Sequence, residues 1–251
     1  MKNRYLRQEL LATIGPQGQQ KIKRARVLVV GCGALGSAQT LLLSRAGFGF
    51  LRIVDDDKVE LGNLHRQILF SEQDARQGRL KAQRAAEYLR RGNSDIEIEA
   101  LDQRFDTNTA GALLNGIDLV MDATDNFSSR FLINRLCVAS NRPWIYGGAV
   151  GHQGMMLPIR PAEGPCLRCL LPSQPAHSPT AADVGVLNSL TATIAAMQVQ
   201  AALRHVIGDP LPADQLLRWD AWDLNLQKIQ VAKAPDCPCC ASKNRHSPQL
   251  A

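Results

Sequence analysis

The apolar run Val27-Leu28-Val29-Val30, followed at once by Gly31-Cys32-Gly33-Ala34-Leu35-Gly36, confines this chain more than any other feature. A strand that feeds a glycine turn and opens a helix is the first unit of a nucleotide-binding sheet. Gly31 permits the tight turn, Gly33 lets a phosphate approach the backbone, and Gly36 lets the helix pack closely on the strand. The helix start offers free N–H groups and a partial positive charge. Asp55 follows about twenty residues later, at the end of Leu51-Arg52-Ile53-Val54, where a carboxylate accepts hydrogen bonds from ribose hydroxyls. The turn alone suits NAD, FAD, S-adenosylmethionine or ATP.

The rest of the first 150 residues repeats this alternation. Residues 1–24 read as helical and polar, with Gly15-Pro16-Gln17-Gly18 breaking the pattern. Residues 81–91 read as a helix, 96–100 as a strand and 117–122 as a strand ending in Ala123-Thr124-Asp125-Asn126. A helix over 130–140 and a strand over 144–150 follow. Strands alternating with helices give an α/β fold with a mainly parallel sheet, and ligands bind at the carboxyl ends of such strands. Gly31 to Gly36, Asp55 and Asp125 all fall there. From Gly151 the pattern changes. Residues 155–159 read as an antiparallel strand, 161–179 as an irregular proline-rich connection, 190–206 as a helix, and 216–219 with 228–231 as a closing strand pair. The chain reads as one domain over 1–240, with a nucleotide-binding half over about 1–150 and a second half over about 151–240; 241–251 read as a frayed tail.

Composition narrows the function classes. Hydrophobic residues make up 45% and aromatics only 5%, which fits a globular core of Leu, Val, Ile and Ala. A net charge of +6 favours an acidic partner or a phosphate-bearing ligand. No basic stripe with interleaved aromatics points to nucleic acid. Met1 to Arg7 has no apolar core behind it, and the uncharged runs 27–44 and 185–203 carry glycines or Asn, Ser, Thr and Gln. These features predict a soluble, cytoplasmic protein without a membrane span.

Asn63, Arg66, Gln67 and Lys81 add charge and hydrogen-bond donors near the nucleotide. A hydride carrier needs no cations at its reacting end. A triphosphate does, because charge builds up as the α-phosphorus is attacked and pyrophosphate leaves. The competing reading makes Arg66 and Gln67 the start of a solvated helix. Asp125 is either a Mg²⁺ ligand opposite a triphosphate or the N-cap of the next helix. Asp56 reads as a turn cap.

Seven cysteines, an odd number, argue against a disulfide framework. Cys166-x-x-Cys169 and Cys237-x-x-Cys240 instead suggest a tetrahedral zinc site of four thiolates. With 67 residues between the pairs, the metal would staple the C-terminal region onto the connection near 166. Four thiolates leave no open position, so the task is structural. Cys239 lies inside the second pair; Cys32 and Cys137 read as buried and inert.

Taken in order, Arg4-Tyr5-x-Arg7-Gln8, Gly31-x-Gly33-x-x-Gly36, Asp55-x-Asp57, Asn63-x-x-Arg66-Gln67, Lys81, Thr124-Asp125-Asn126 and the paired Cys-x-x-Cys resemble the ThiF/MoeB/HesA family, bacterial relatives of ubiquitin-activating enzymes. The resemblance runs from about residue 4 to residue 240. It implies a Rossmann-like sheet extended by antiparallel strands, a Cys₄ zinc staple and a homodimer. It implies ATP-dependent adenylation of the C-terminal glycine carboxylate of a small β-grasp sulfur carrier protein ending in Gly-Gly, with sulfur supplied by a separate donor. The thiamine pathway is slightly favoured over molybdopterin. In that frame Gly31, Gly33, Gly36, Asp55 and Asp57 surround the nucleotide with Asn63, Arg66, Gln67 and Lys81. Asp125 binds Mg²⁺, Arg7 reaches the phosphates of the partner subunit's ATP, and Cys166, Cys169, Cys237 and Cys240 hold zinc. Arg7, Arg66, Lys81 and Asp125 then carry the catalysis.

One segment departs from the family. Ala181 stands where ThiF-like members usually have a cysteine, and Asn188, Ser189 and Thr191 replace glycines. Alanine forms no persulfide or disulfide link. This motivates a second hypothesis, adenylation of another peptide or carrier C-terminus in specialised metabolism. An NAD(P)-dependent oxidoreductase and an inactive binding module complete the set. Arg66, Lys81 and the cysteine pairs speak against the former, and the full set of ATP-contacting residues against the latter.

Overall fold

The computed structural model describes residues 3–175 and 180–241. Its eight strands are β1 (Arg26–Val30), β2 (Phe50–Val54), β3 (Glu97–Leu101), β4 (Leu119–Asp122), β5 (Trp144–Val150), β6 (Gln153–Ile159), β7 (Gln215–Asp220) and β8 (Asn225–Gln230). They form one sheet in the order β3-β2-β1-β4-β5-β6-β7-β8. The first five pair in parallel, and β6, β7 and β8 extend the sheet antiparallel. The helices are α1 (Leu6–Glu9), α2 (Gly15–Arg24), α3 (Ala34–Ala46), α4 (Glu72–Arg76), α5 (Lys81–Gly92), α6 (Ala110–Leu113), α7 (Phe127–Ala139), α8 (Leu167–Leu170), α9 (Ala181–Val184) and α10 (Asn188–Ile207). None of the described helices is long and apolar enough to cross a membrane.

Side chains alternate across the pleat, so each central strand feeds two cores. Val27, Val29, Leu51, Ile53, Leu119 and Met121 pack with Ile22, Leu43, Leu89 and Val199 of α2, α3, α5 and α10. Leu28, Val30, Val54, Val120, Trp144 and Tyr146 pack on the other face with Leu113, Ile133 and Cys137 of α6 and α7. Each fully buried Leu, Ile or Val contributes about 1.5–3 kcal/mol through burial. The second core continues into Cys166, Cys237 and Cys240, so the cysteine knuckles close this face below β6 and β7. α10 lies against the first face and crosses β5 where Gly147 leaves room. A Cβ at Gly147 would sit 2.4 Å from the buried Gln198 amide.

Two local expectations change. Gly15-Pro16-Gln17-Gly18 does not break a helix but begins α2. Pro16 occupies its first turn, where a missing N–H costs nothing, and Gly15 takes the left-handed φ of +60° at the junction. The closing strand expected at 228–231 runs instead over Asn225–Gln230, an exposed edge strand with no buried alternation to mark its start. The connection 161–179 contains the single-turn helix α8. The tail beyond 241 lies outside the described residues.

Candidate functional site: the nucleotide cleft and the cysteine cluster

Strand order reverses direction between β1 and β4, the place where such sheets open a crevice beyond their carboxyl ends. The glycine turn leaves β1 there. Gly31 has φ +93°, and a Cβ on it would lie 2.7 Å from the Ala123 carbonyl oxygen. A Cβ on Gly36 would lie 2.0 Å from the Gly31 oxygen. Both positions demand glycine for packing. Gly33 differs: the nearest atom to its missing Cβ is Gln67 Nε2 at 3.8 Å, which leaves an open approach to the backbone. α3 starts at Ala34 without a side-chain cap. Gln67 is buried, and its Oε1 has no hydrogen-bond partner among the described residues. An uncapped helix start and an open glycine fit a phosphate-bearing ligand, whereas the orphaned Gln67 oxygen is an acceptor that calls for a donor such as a hydroxyl or N–H.

Asp55 closes the turn from β2. Its Oδ2 accepts the Cys32 N–H at 2.6 Å and its Oδ1 accepts the Asp57 N–H at 2.9 Å. Asp55 is therefore the residue that caps the turn. Asp56, expected in that role, instead pairs with Arg104 at 3.6 Å. Burial holds the Asp55 carboxyl above its ordinary range, even though the Cys32 N–H, the Lys81 ammonium and the Asp57 N–H all pull it down. The buried Cys32 thiol is pushed up by desolvation and by Asp55, which makes it inert. Burial likewise pushes Cys137 up to about 12.

Lys81 opens α5 with its side chain only 6% exposed, and its Nζ lies 2.7 Å from Asp57 Oδ2. A 3₁₀ turn over Leu61–Asn63 leads into the Asn63 to Gln67 segment, where the Asn63 carbonyl accepts the N–H groups of Arg66 and Gln67. Arg66 Nη2 donates to Asn63 Oδ1 at 2.8 Å. No helix begins at Arg66, so the solvated-helix reading falls; the next helix is α4, held by a Ser71–Asp74 capping box.

At the end of β4, Asp125 is exposed and Asn126 is the N-cap, accepting the Ser129 N–H at 2.8 Å. The cap reading of Asp125 is thus removed. Sequence reasoning missed the group beneath it. Asp122 is fully buried, 3.2 Å from Arg130 Nε, and accepts the Thr124 N–H at 2.9 Å and the Thr124 hydroxyl at 2.7 Å. Arg130 Nη2 donates to the carbonyls of Thr124 at 2.7 Å and Gly147 at 3.2 Å. The node fixes the Thr124-Asp125-Asn126 turn against β5. Its signal was an acid as the last residue of a buried strand, which must find a cation.

The four cysteine sulfurs Cys166, Cys169, Cys237 and Cys240 lie within 4.8 Å of one another. Cys166 and Cys237 are 3.6 Å apart, and Cys169 and Cys240 are 3.4 Å apart. A tetrahedral zinc with Zn–S of about 2.3 Å needs sulfurs roughly 3.8 Å apart, so the donor set fits that ion. Asn134 of α7 ties the knuckles to the domain: its Oδ1 accepts the Leu167 N–H at 2.9 Å, and its Nδ2 donates to Cys239 at 3.2 Å. Cys239 stands outside the foursome.

Ala181 opens α9, half-buried. The segment laces onto the turn between β5 and β6 through Gly151 N–H to the Gly185 carbonyl and Leu187 N–H to the Gly151 carbonyl. Arg7 stands exposed on α1, beside exposed Leu6, Leu10 and Leu11.

The comparisons with known proteins agree with this geometry. A family model described as the ThiF family matches residues 5–239. The chain is 36% identical over 247 residues to a sulfur carrier protein ThiS adenylyltransferase of Bacillus subtilis, covering 97% of this chain and 73% of that one. It is 36% identical over 249 residues to a sulfur carrier protein adenylyltransferase of Thermus thermophilus, covering 96% and 91%. Among solved structures, E. coli MccB superposes with a TM-score of 0.84 over 96% of this chain and 72% of its own at 21% identity, a likeness of fold alone.

Proposed function

The chain belongs to the ThiF family, and on that premise we propose that it is an adenylyltransferase that joins AMP from ATP to the C-terminal glycine carboxylate of a small ubiquitin-like sulfur carrier protein and releases pyrophosphate. The observation that carries the reading is the convergence at one switch point of the open Gly33 backbone, the Asp55 carboxylate, the buried Lys81 ammonium and the exposed Asp125. A dehydrogenase has no use for that lysine.

In this reading Asp55 holds the ribose, and Gly31, Gly33 and Gly36 shape the phosphate cradle with Gln67. Asn63, Arg66 and Lys81 contact the phosphates, and Asp125 holds Mg²⁺, which would neutralise charge on the leaving pyrophosphate. No general base is required, because the attacking carboxylate is already ionised at pH 7. Alignment and charge neutralisation supply the rate. Zinc on Cys166, Cys169, Cys237 and Cys240 keeps the two halves of the second core together. A homodimer places Arg7 at the partner's phosphates. The exposed leucines beside it support that surface as an interface.

The names of the relatives favour a carrier of the thiamine pathway. Ala181 offers no thiol for a covalent link, so sulfur reaches the activated carboxylate from a separate donor in the cytoplasm. The same alanine supports the second reading, a different peptide C-terminus as acyl substrate. Lys81→Ala and Arg66→Ala test the site: ATP–pyrophosphate exchange falls by about 10²-fold or more while the urea midpoint stays near that of the parent. Exchange that survives both changes overturns the assignment.

A further inference from the structure

Lys81 is a buried cation at the first position of a helix. Burial costs an ammonium its hydration, and the positive end of the helix dipole repels it. Both costs fall on the residue assigned to the phosphates. What compensates them is Asp57. Its Oδ2 takes the ammonium at 2.7 Å, and its main-chain carbonyl accepts the Lys81 N–H at 2.9 Å. Its own N–H is held by Asp55 Oδ1 at 2.9 Å. The neighbouring Val59 N–H to Arg79 carbonyl bond, at 2.8 Å, zips the same two segments together. Three hydrogen bonds thus run from the ribose acid through Asp57 to the phosphate lysine. Lys81 in turn acts electrostatically on both Asp55 and Cys32, which places its charge beside the glycine turn.

Asp57 is 68% exposed, so its own position carries little desolvation cost. A second carboxylate facing a triphosphate would repel it. The geometry points to another role: Asp57 is a positioning residue for adenylation, fixing the Lys81 ammonium at the mouth of the glycine turn without itself touching the nucleotide. This rests on the adenylation reading above. It assigns the two acids of Asp55-x-Asp57 different tasks, one for the nucleotide and one for the lysine.

A double-mutant cycle separates action through Lys81 from action beside it. The four proteins are the parent, Asp57→Asn, Lys81→Ala and the double variant. Each is measured by ATP–pyrophosphate exchange, by dissociation of a non-hydrolysable ATP analogue and by urea midpoint. Asparagine keeps the size and the backbone links. A misplaced catalytic group costs about 10- to 100-fold in rate, so Asp57→Asn lowers kcat by about that factor, with KM for ATP changed less. In the Lys81→Ala background the same change alters kcat by less than about twofold. Asp57→Glu, with room to fold back from solvent, restores part of the lost rate, which a merely structural residue would not do. Equal factors in both backgrounds, or an unchanged kcat in Asp57→Asn, overturn the inference. If the parent binds the analogue but exchanges no pyrophosphate with any carrier, the adenylation reading fails. The cycle is then read from analogue dissociation alone, where an Asp57 effect that persists without Lys81 again overturns the inference.

Discussion

Removing either partner of the Asp122–Arg130 pair gives two different proteins. In Asp122→Asn the guanidinium stays buried with two carbonyls, Thr124 at 2.7 Å and Gly147 at 3.2 Å, and cannot shed its charge. Leaving a buried charge unpaired costs about 3–5 kcal/mol, which for a chain of this size lowers Tm by roughly 6–20 °C. In Arg130→Met the acid keeps the Thr124 N–H and hydroxyl, and it has an escape, because burial already pushes its carboxyl above the ordinary range. Arg130 is among the groups that oppose that push, so its loss raises the carboxyl further. A native-state value above the unfolded one means that the folded protein binds the extra proton. The stabilisation is full below the unfolded value and is lost as pH rises toward the folded one, at no more than about 1.4 kcal/mol per pH unit. Arg130→Met is therefore mildest at the acid end of the range and progressively worse as pH rises, whereas Asp122→Asn is costly and nearly flat with pH. Urea denaturation of both variants and the parent at several pH values decides it. Parallel pH dependences, or a loss below about 1 kcal/mol in Asp122→Asn, would refute the reasoning that Arg130 opposes protonation of the buried Asp122 and is itself stranded without it.

The glycines and the cysteines give two sharper contrasts. Gly33→Ala meets no atom nearer than 3.8 Å and should fold with a urea midpoint close to the parent while weakening ATP-analogue binding. Gly36→Ala drives a Cβ to 2.0 Å from the Gly31 oxygen and should lower the midpoint itself; the same behaviour in both variants would contradict the assignment of one glycine to ligand and the other to packing. The purified protein should carry about one zinc per chain, and Cys169→Ser or chelation should lower both metal content and Tm, with recovery on adding Zn²⁺ but not Mg²⁺. A metal-free protein that melts like the parent would remove the staple.

Much of the fold was legible because its signals are local. The Val27–Val30 run, the glycine turn and Asp55 need one strand, one turn and one ladder position to be read, and all three stand where expected. Where residues of one chemistry sit side by side, spacing alone did not settle which one takes which task. Among Asp55, Asp56 and Asp57 only tertiary contacts decide which caps the turn, which meets Arg104 and which meets Lys81. Asp125 and Asn126 are both good N-caps, and a one-residue difference in where α7 begins gives the task to Asn126 and leaves Asp125 exposed. The Asp122–Arg130 pair joins a strand end to a helix and a neighbouring strand through backbone carbonyls, which no spacing rule displays. The edge strand β8 was misplaced because none of its residues is buried, so it carries no alternation.

The decisive step is transfer of the adenylyl group of ATP to the carrier's terminal carboxylate, with pyrophosphate leaving. The direct measurement is ATP–pyrophosphate exchange with Mg²⁺, using the parent protein with a Gly-Gly-ending sulfur carrier protein, the same carrier lacking its last glycine, and no carrier. Exchange is expected only with the intact carrier terminus, together with a carrier-bound AMP visible by intact mass. Exchange independent of the carrier, or none with any carrier despite ATP binding, would contradict that transfer.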